Sequence, residues 1–327
     1  MIWLTWRQHR KQVLYTLIAL AALAAVLVPT GLAMHGRFED TGLKACLAGL
    51  GGESLIAQTE SADKCQMLAH EFQQKYSSLS FVAVLFVILP VFVGVFFGAP
   101  LVARELEEGT HRFAWTQGVS RTRWALAKFG LVGGFTLLVA VVYALGVSWW
   151  FAPLVAAIGS RMGYLAFDVQ GVVPVAYTLF AVALGVFAGV YQRKVLPAMG
   201  VAVGGFAAVR IGIELLARPR YLPPETLTYA LGSSDLVNPA AGDWIQSHGI
   251  RNGAGELVLP DAKIGPCPPG DSMCSRDIQE LGTGAHNWQL YQPGDRFWLF
   301  QGIETGVFLA LTALLLALAV RRLSALS

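Results

Sequence analysis

Six apolar runs, each long enough to cross a bilayer, constrain this chain more than any other feature of its sequence. They lie at about 13–34, 79–102, 126–150, 172–191, 196–216 and 297–320. A hydrocarbon core about 30 Å thick needs roughly 20 apolar residues in helical form. Hydrocarbon offers no partner to a free backbone amide or carbonyl, so each run must be helical. Only 14% of the 327 residues are charged, against roughly 25% in soluble domains. The expected fold is an all-α polytopic membrane protein, embedded in a lipid bilayer as a single transmembrane domain. The net charge of +3 is too small to favour nucleic acid as a partner.

The first run is read as a retained span. Arg7, Arg10 and Lys11 precede it, it is longer than a signal-peptide core, and Met34-His35-Gly36 lacks a small-x-small cleavage pattern. Six spans put both termini on one side, and the positive-inside rule selects the cytoplasm. The inner segments then hold Arg7, Arg10, Lys11, Arg104, Arg112, Arg121, Arg123, Lys128, Arg193, Lys194, Arg321 and Arg322. Against those twelve cations stand three anions, Glu105, Glu107 and Glu108. The outer segments hold eleven cations against sixteen anions. Trp149, Trp150 and Phe151 end the third run, and Phe297, Trp298 and Phe300 begin the sixth, as interfacial aromatics do.

Two outer segments are sizeable, 35–78 and 217–296. The second is rich in Pro, Gly and Asp, which predicts loops with short helices. All four cysteines fall outside: Cys46 and Cys65 in the first segment, Cys267 and Cys274 in the second. An oxidising compartment permits disulfides, and local pairing (46 with 65, 267 with 274) is the expectation among three possible connectivities. Free thiols are the plain alternative. A metal site is disfavoured by the spacings and by the lack of a flanking His pair.

Between the second and third runs lies a charged insert, 103–125. Thr110 suits an N-cap for a short helix over 111–117, Gly118 suits its left-handed stop, and Ser120 suits the cap of the next helix. Phe113 and Trp115 are then available to fill a groove on a partner. An ordinary interfacial loop anchored by Trp115 fits the same residues. The run GAPLVARELEEGTHRFAWTQGVSRTRWALAK resembles the loop between the second and third spans of bacterial ATP-binding-cassette exporter permeases of the ABC type-2 class. Glu107, Glu108, Gly109, Thr110, Val119, Ser120, Arg121 and Lys128 carry the match. The helix-ending Pro of that pattern is Gly118 here. The opening IWLTWRQHRKQ and the closing YQPGDRFWLFQGIETGVFLALTALLLALAVRRL are similar to actinomycete members of the class.

The resemblance implies a cytoplasmic coupling helix seated in a groove of an ABC ATP-binding subunit, with Glu107, Glu108, Gly109, Thr110, Arg112, Phe113, Trp115, Ser120 and Arg121 as coupling residues. It also implies an N-terminal interfacial helix over 1–12, anchored by Trp3 and Trp6.

No G-x-x-x-x-G-K-[ST] phosphate loop occurs, so ATP and Mg would be bound by a separate ATPase chain. No H-E-x-x-H or G-x-S-x-G occurs either, and no catalytic, cofactor-binding or metal-ligating residues are assigned. Small residues recur at four-residue spacing: Gly94 and Gly98, Gly185 and Gly189, Gly200 and Gly204. They let helices approach closely, within one bundle or across a dimer seam. Arg210, Glu214 and Glu304 lie within or near apolar runs, where charge is costly. Arg210 and Glu214 are four apart and able to pair on one helical face. All three either line an outward cavity or brace helix ends.

The expected protein is the permease subunit of an exporter in a bacterial cell membrane, multi-pass, with both termini cytoplasmic. It would form a homodimer over two ATPase copies and move an amphipathic or hydrophobic substrate. A different class remains open: a membrane-anchored sensory or ligand-binding protein that uses its outer loops.

Overall fold

The structure is a computed structural model that describes residues 2–49, 55–110, 120–232, 243–265, 267, 276 and 278–325, with the side chains of 2–9, 55–63 and 80 outside that description. Six helices among the described residues are long and apolar enough to span a membrane. They cover Arg10–Asp40, Phe81–Glu107, Arg121–Ile158, Val173–Gln192, Val195–Arg220 and Gly294–Ser324. Each covers all or nearly all of one of the runs read from the sequence. Most are longer than the run, because a helix satisfies its own backbone after the apolar stretch has ended.

Helix α1 (Ile2–Asp40) has 39 residues, about 58 Å at 1.5 Å per residue. The interfacial helix expected over 1–12 is continuous with the first span: from Ile2 onward α1 has no break. The first outer segment is also helical rather than a loop. Helix α2 (Leu43–Gly49) and the front half of α3 (Leu55–Val93) fill it. Cys46 and Cys65 join them in a disulfide with Cα atoms 5.7 Å apart, the local pairing expected. Leu43, Ala69 and Phe72 are buried there in one cluster with Met34 of α1.

The chain divides into two compact units where a single domain was expected. The membrane unit holds 1–158, 164–213 and 301–327. The second unit holds 159–163 and 214–300.

In the membrane unit, α3 passes through a π-helical turn, Gly94–Gly98, into α4 (Ala99–Glu107). Pro90 in α3 has no N–H to offer the carbonyl of Phe86 one turn back. The Tyr143 hydroxyl donates to that carbonyl instead, at 2.9 Å. Tyr143 lies on α5 (Arg121–Ile158), the third span. The short helix α6 (Tyr164–Val169) follows, then α7 (Val173–Gln192) and α8 (Val195–Gly212). Most of α7 is buried by its neighbours.

The crossing of α7 with the second span explains two of the glycine pairs. A Cβ on Gly94 would lie 2.5 Å from the carbonyl oxygen of Ala181, and one on Gly185 would lie 2.4 Å from that of Gly94. Gly98 and Gly189 meet backbone at 2.5 and 2.7 Å. Here the small residues serve packing within the chain. Gly200 and Gly204 have open space around them.

The second unit corrects the all-α expectation. It contains an antiparallel four-stranded sheet in the order β1-β4-β2-β3. The strands are β1 (Glu225–Ala230), β2 (Trp244–Arg251), β3 (Leu257–Pro260) and β4 (His286–Gln292). The inner residues of β4 are polar: Asn287, Gln289 and Gln292 are buried. Each is bonded. Asn287 accepts from the amide of Ile264 and donates to its carbonyl, Gln289 donates to the Tyr229 hydroxyl, and Gln292 donates to the Leu222 carbonyl. Helix α9 (Phe297–Ser324) completes the chain.

Candidate functional site

Two arrangements in the membrane unit stand out. The first is the charged insert. Helix α4 ends at Glu107, and Gly109 takes a left-handed conformation (φ 73°) that a side chain would strain. Residues 111–119 lie outside the described residues, and with them Arg112, Phe113, Trp115 and the helix expected there. On the far side, Ser120 caps α5 as expected. Its hydroxyl accepts from the amide of Arg123 at 3.3 Å.

The flanks of the insert are tied into other spans. Lys128 on α5 donates to Glu105 on α4 at 2.5 Å and lies 5.1 Å from the centre of the Trp124 ring. Both partners are shielded, with Lys128 only 5% exposed at its side chain. Glu107 accepts from the amide of Val195 at 3.0 Å, which ties the second span to the first turn of α8. Arg121 reaches the carbonyl of Ser324 near the end of α9 at 3.5 Å. Glu108 instead pairs with Arg104 on the surface of its own helix, at 3.0 Å. Thus four residues assigned to a partner, Glu107, Glu108, Ser120 and Arg121, already have partners within the chain.

The second arrangement is an ionic cluster inside the bundle. Asp168 on α6, Arg210 on α8 and Glu304 on α9 are all buried, Glu304 completely. Arg210 pairs with Asp168, and its Nη1 lies 3.7 Å from Glu304 Oε1. The Tyr177 hydroxyl of α7 donates to Glu304. The Arg210 guanidinium also lies over the Tyr177 ring, 4.5 Å from its centre. Buried charge persists only where it is paired and hydrogen-bonded. This set pairs its charges, and gives Glu304 a hydrogen bond, by drawing on four helices.

Beside the cluster, Gln301 of α9 holds the turn between α6 and α7. Its Nε2 donates to the carbonyls of Phe167 (2.9 Å) and Gln170 (3.2 Å). Its Oε1 accepts from the amides of Val172 and Val173, both at 3.0 Å. One amide side chain thereby satisfies orphan groups at the end of one helix and the start of the next. Gly171, between them, is left-handed (φ 73°), and a Cβ there would fall 2.7 Å from Gln301 Oε1.

Of the charges singled out from the sequence, Arg210 and Glu304 come together. Glu214 follows Arg210 by one helical turn. It lies in the π-helical turn Ile213–Ala217 and belongs to the second unit. Sequence reasoning missed Asp168, Tyr177 and Gln301. Asp168 stood between two expected spans and was counted with the outer anions. Its signal was its isolation in the apolar stretch LAFDVQ. Gln301 was an uncharged polar residue in an apolar run, the same kind of signal in weaker form. Cys267 is disulfide-bonded, and Cys274 lies outside the described residues.

A bundle of six apolar helices with a paired ionic cluster in its interior defines a multi-pass membrane protein. Residues 17–218 match the family described as ABC-2 membrane transporter related, and the chain belongs to it. It is thus a transmembrane permease of the ABC-2 type. The match takes in the charged insert, Asp168, Tyr177 and Arg210, and stops before the sheet and α9. No curated protein and no solved structure matches the chain.

Proposed function

We propose that this chain is the membrane half of an ATP-driven exporter, and that its charged insert receives force from a separate ATP-binding subunit. Two copies of the chain form a pathway at their interface in a bacterial cell membrane, with both termini cytoplasmic. Two copies of the ATPase, which bind ATP and Mg, sit against the inserts. A ligand shifts a conformational equilibrium only by its differential affinity for the two states. ATP supplies that difference in the ATPase dimer, and this chain relays it. The spans carry few fixed charges, which suits an amphipathic or hydrophobic substrate.

The observation that carries this reading is the anchoring of the insert. Its flanks bond to the third, fifth and sixth spans through Glu105, Glu107 and Arg121. A push on the insert therefore reaches most of the bundle. The test is co-purification with an ABC ATP-binding chain, followed by ATPase activity in liposomes. Gly109→Pro with Thr110→Ala removes the left-handed turn, because proline is confined to negative φ. The expected result is a loss of stimulated ATPase activity of at least about tenfold, equivalent to about 1.4 kcal/mol of coupling. Intact association and activity in that variant would remove the insert from the mechanism.

A second reading has its own observation, the folded sheet between the fifth and sixth spans. In that reading the chain is a membrane-anchored ligand-binding protein. Purification free of any ATP-binding subunit, with a ligand bound to the sheet unit, would favour it.

A further inference from the structure

We propose that residues 164–172, α6 and the turn after it, form a lid on the membrane bundle, held shut by a polar latch at one end of the fifth span. Helix α6 has six residues, far below the roughly 12 at which an isolated helix becomes marginal in water. Its placement therefore depends on what surrounds it. The two sides of the segment are held differently. Ala166 and Val169 belong to the apolar cluster of α1, α3 and α5, which contains Leu27, Phe86 and Trp150. Polar contacts reach toward the fifth and sixth spans: Asp168 on Arg210, and the four bonds of Gln301. Apolar packing on one side makes a pivot. Point contacts on the other side are few and directional, so losing one of them weakens the hold on the segment.

The latch also has a lever. Arg210 stands in the last turn of α8, fifteen residues from Val195, where Glu107 bonds. The two points are about 22 Å apart along a continuous helix. Displacement of the insert end of α8 reaches the guanidinium through a rigid element. Gly171 supplies the bend, since its left-handed backbone carries no side chain to block it. The lid is a property of the membrane chain. Its use in transport rests on the exporter reading above.

The test uses the full-length chain in lipid nanodiscs, without an ATPase. Val173, buried at the start of α7, is changed to Cys, and its rate of reaction with a water-soluble maleimide is measured. The described cysteines of the wild type are disulfide-bonded, which keeps the background low. D168N and Q301L are expected to raise the rate at least about tenfold, the opening that follows from losing about 1.4 kcal/mol of latch. F180A, a cavity in the same helix, is the control for general loosening and leaves the rate near that of the parent. Unchanged rates in D168N and Q301L would overturn the lid, as would an equal rise in F180A. Neither result depends on ATPase association, so failure of the lid and failure of the exporter reading are separable.

Discussion

Arg210 is the residue on which the interior of the bundle depends. It faces two carboxylates, Asp168 and Glu304, and lies over the ring of Tyr177. Removing it takes a buried cation away from two buried acids, the costly direction in which to break an ion network. Arg210→Ala is expected to destabilise the chain by about 3–5 kcal/mol, read as a fall in the thermal unfolding midpoint in detergent. Arg210→Ala combined with Asp168→Asn and Glu304→Gln should recover a large part of that loss. If the triple variant is no more stable than the single one, the cost is a cavity and not a charge. Part of this network was legible in the sequence. Arg210 and Glu304 announced themselves as charges in apolar runs. Asp168 did not, because expected span boundaries assigned it to an outer segment. Gln301 did not either, since an uncharged amide in an apolar run does not say which backbone groups it will serve.

The crossing of α7 and the second span shows how elements were legible where single contacts were not. Glycines at four-residue spacing predicted close approach, and Gly94, Gly98, Gly185 and Gly189 deliver it. The same spacing at Gly200 and Gly204 leads to an open face of α8. Gly185→Ala is expected to cost about 1–3 kcal/mol, since the added methyl meets backbone that has nowhere to go. Gly204→Ala should change the monomer's stability by less than about 0.5 kcal/mol. Thermal unfolding of both variants in one detergent decides the matter, and equal losses would contradict the packing described. The sheet of the second unit escaped the sequence for a definite reason. Strands are usually recognised by apolar residues at every second position. In β4 the buried positions carry Asn287, Gln289 and Gln292, so the pattern that marks a strand is inverted. Pro, Gly and Asp around it then favoured a loop reading.

At the level of the chain, six apolar runs were enough to specify the class of fold, because a bilayer permits few alternatives. How far each helix continues beyond its run was not specified. Helix α1 begins at Ile2 and runs on to Asp40. The charge asymmetry of the sequence makes a further prediction, that the insert 103–125 is cytoplasmic and the segment 217–296 lies outside. Single cysteines at Thr110 and at Ala254, the latter in the turn between β2 and β3, test it directly. An impermeant maleimide applied to intact cells should label position 254 and spare position 110. The reverse pattern would invert the topology and end the coupling role proposed for the insert.

The enclosure of α7 carries a consequence for how this sequence changes over time. A helix buried over most of its length leaves only a narrow flank, at Val175, Leu179, Phe187 and Tyr191, on which substitutions go unnoticed. Leu14, Leu17 and Ile18 of the first span are exposed and free to drift among apolar residues. The small residues of 173–192 should be the slowest to diverge among descendants of this chain, as the spine around which the other helices are free to vary.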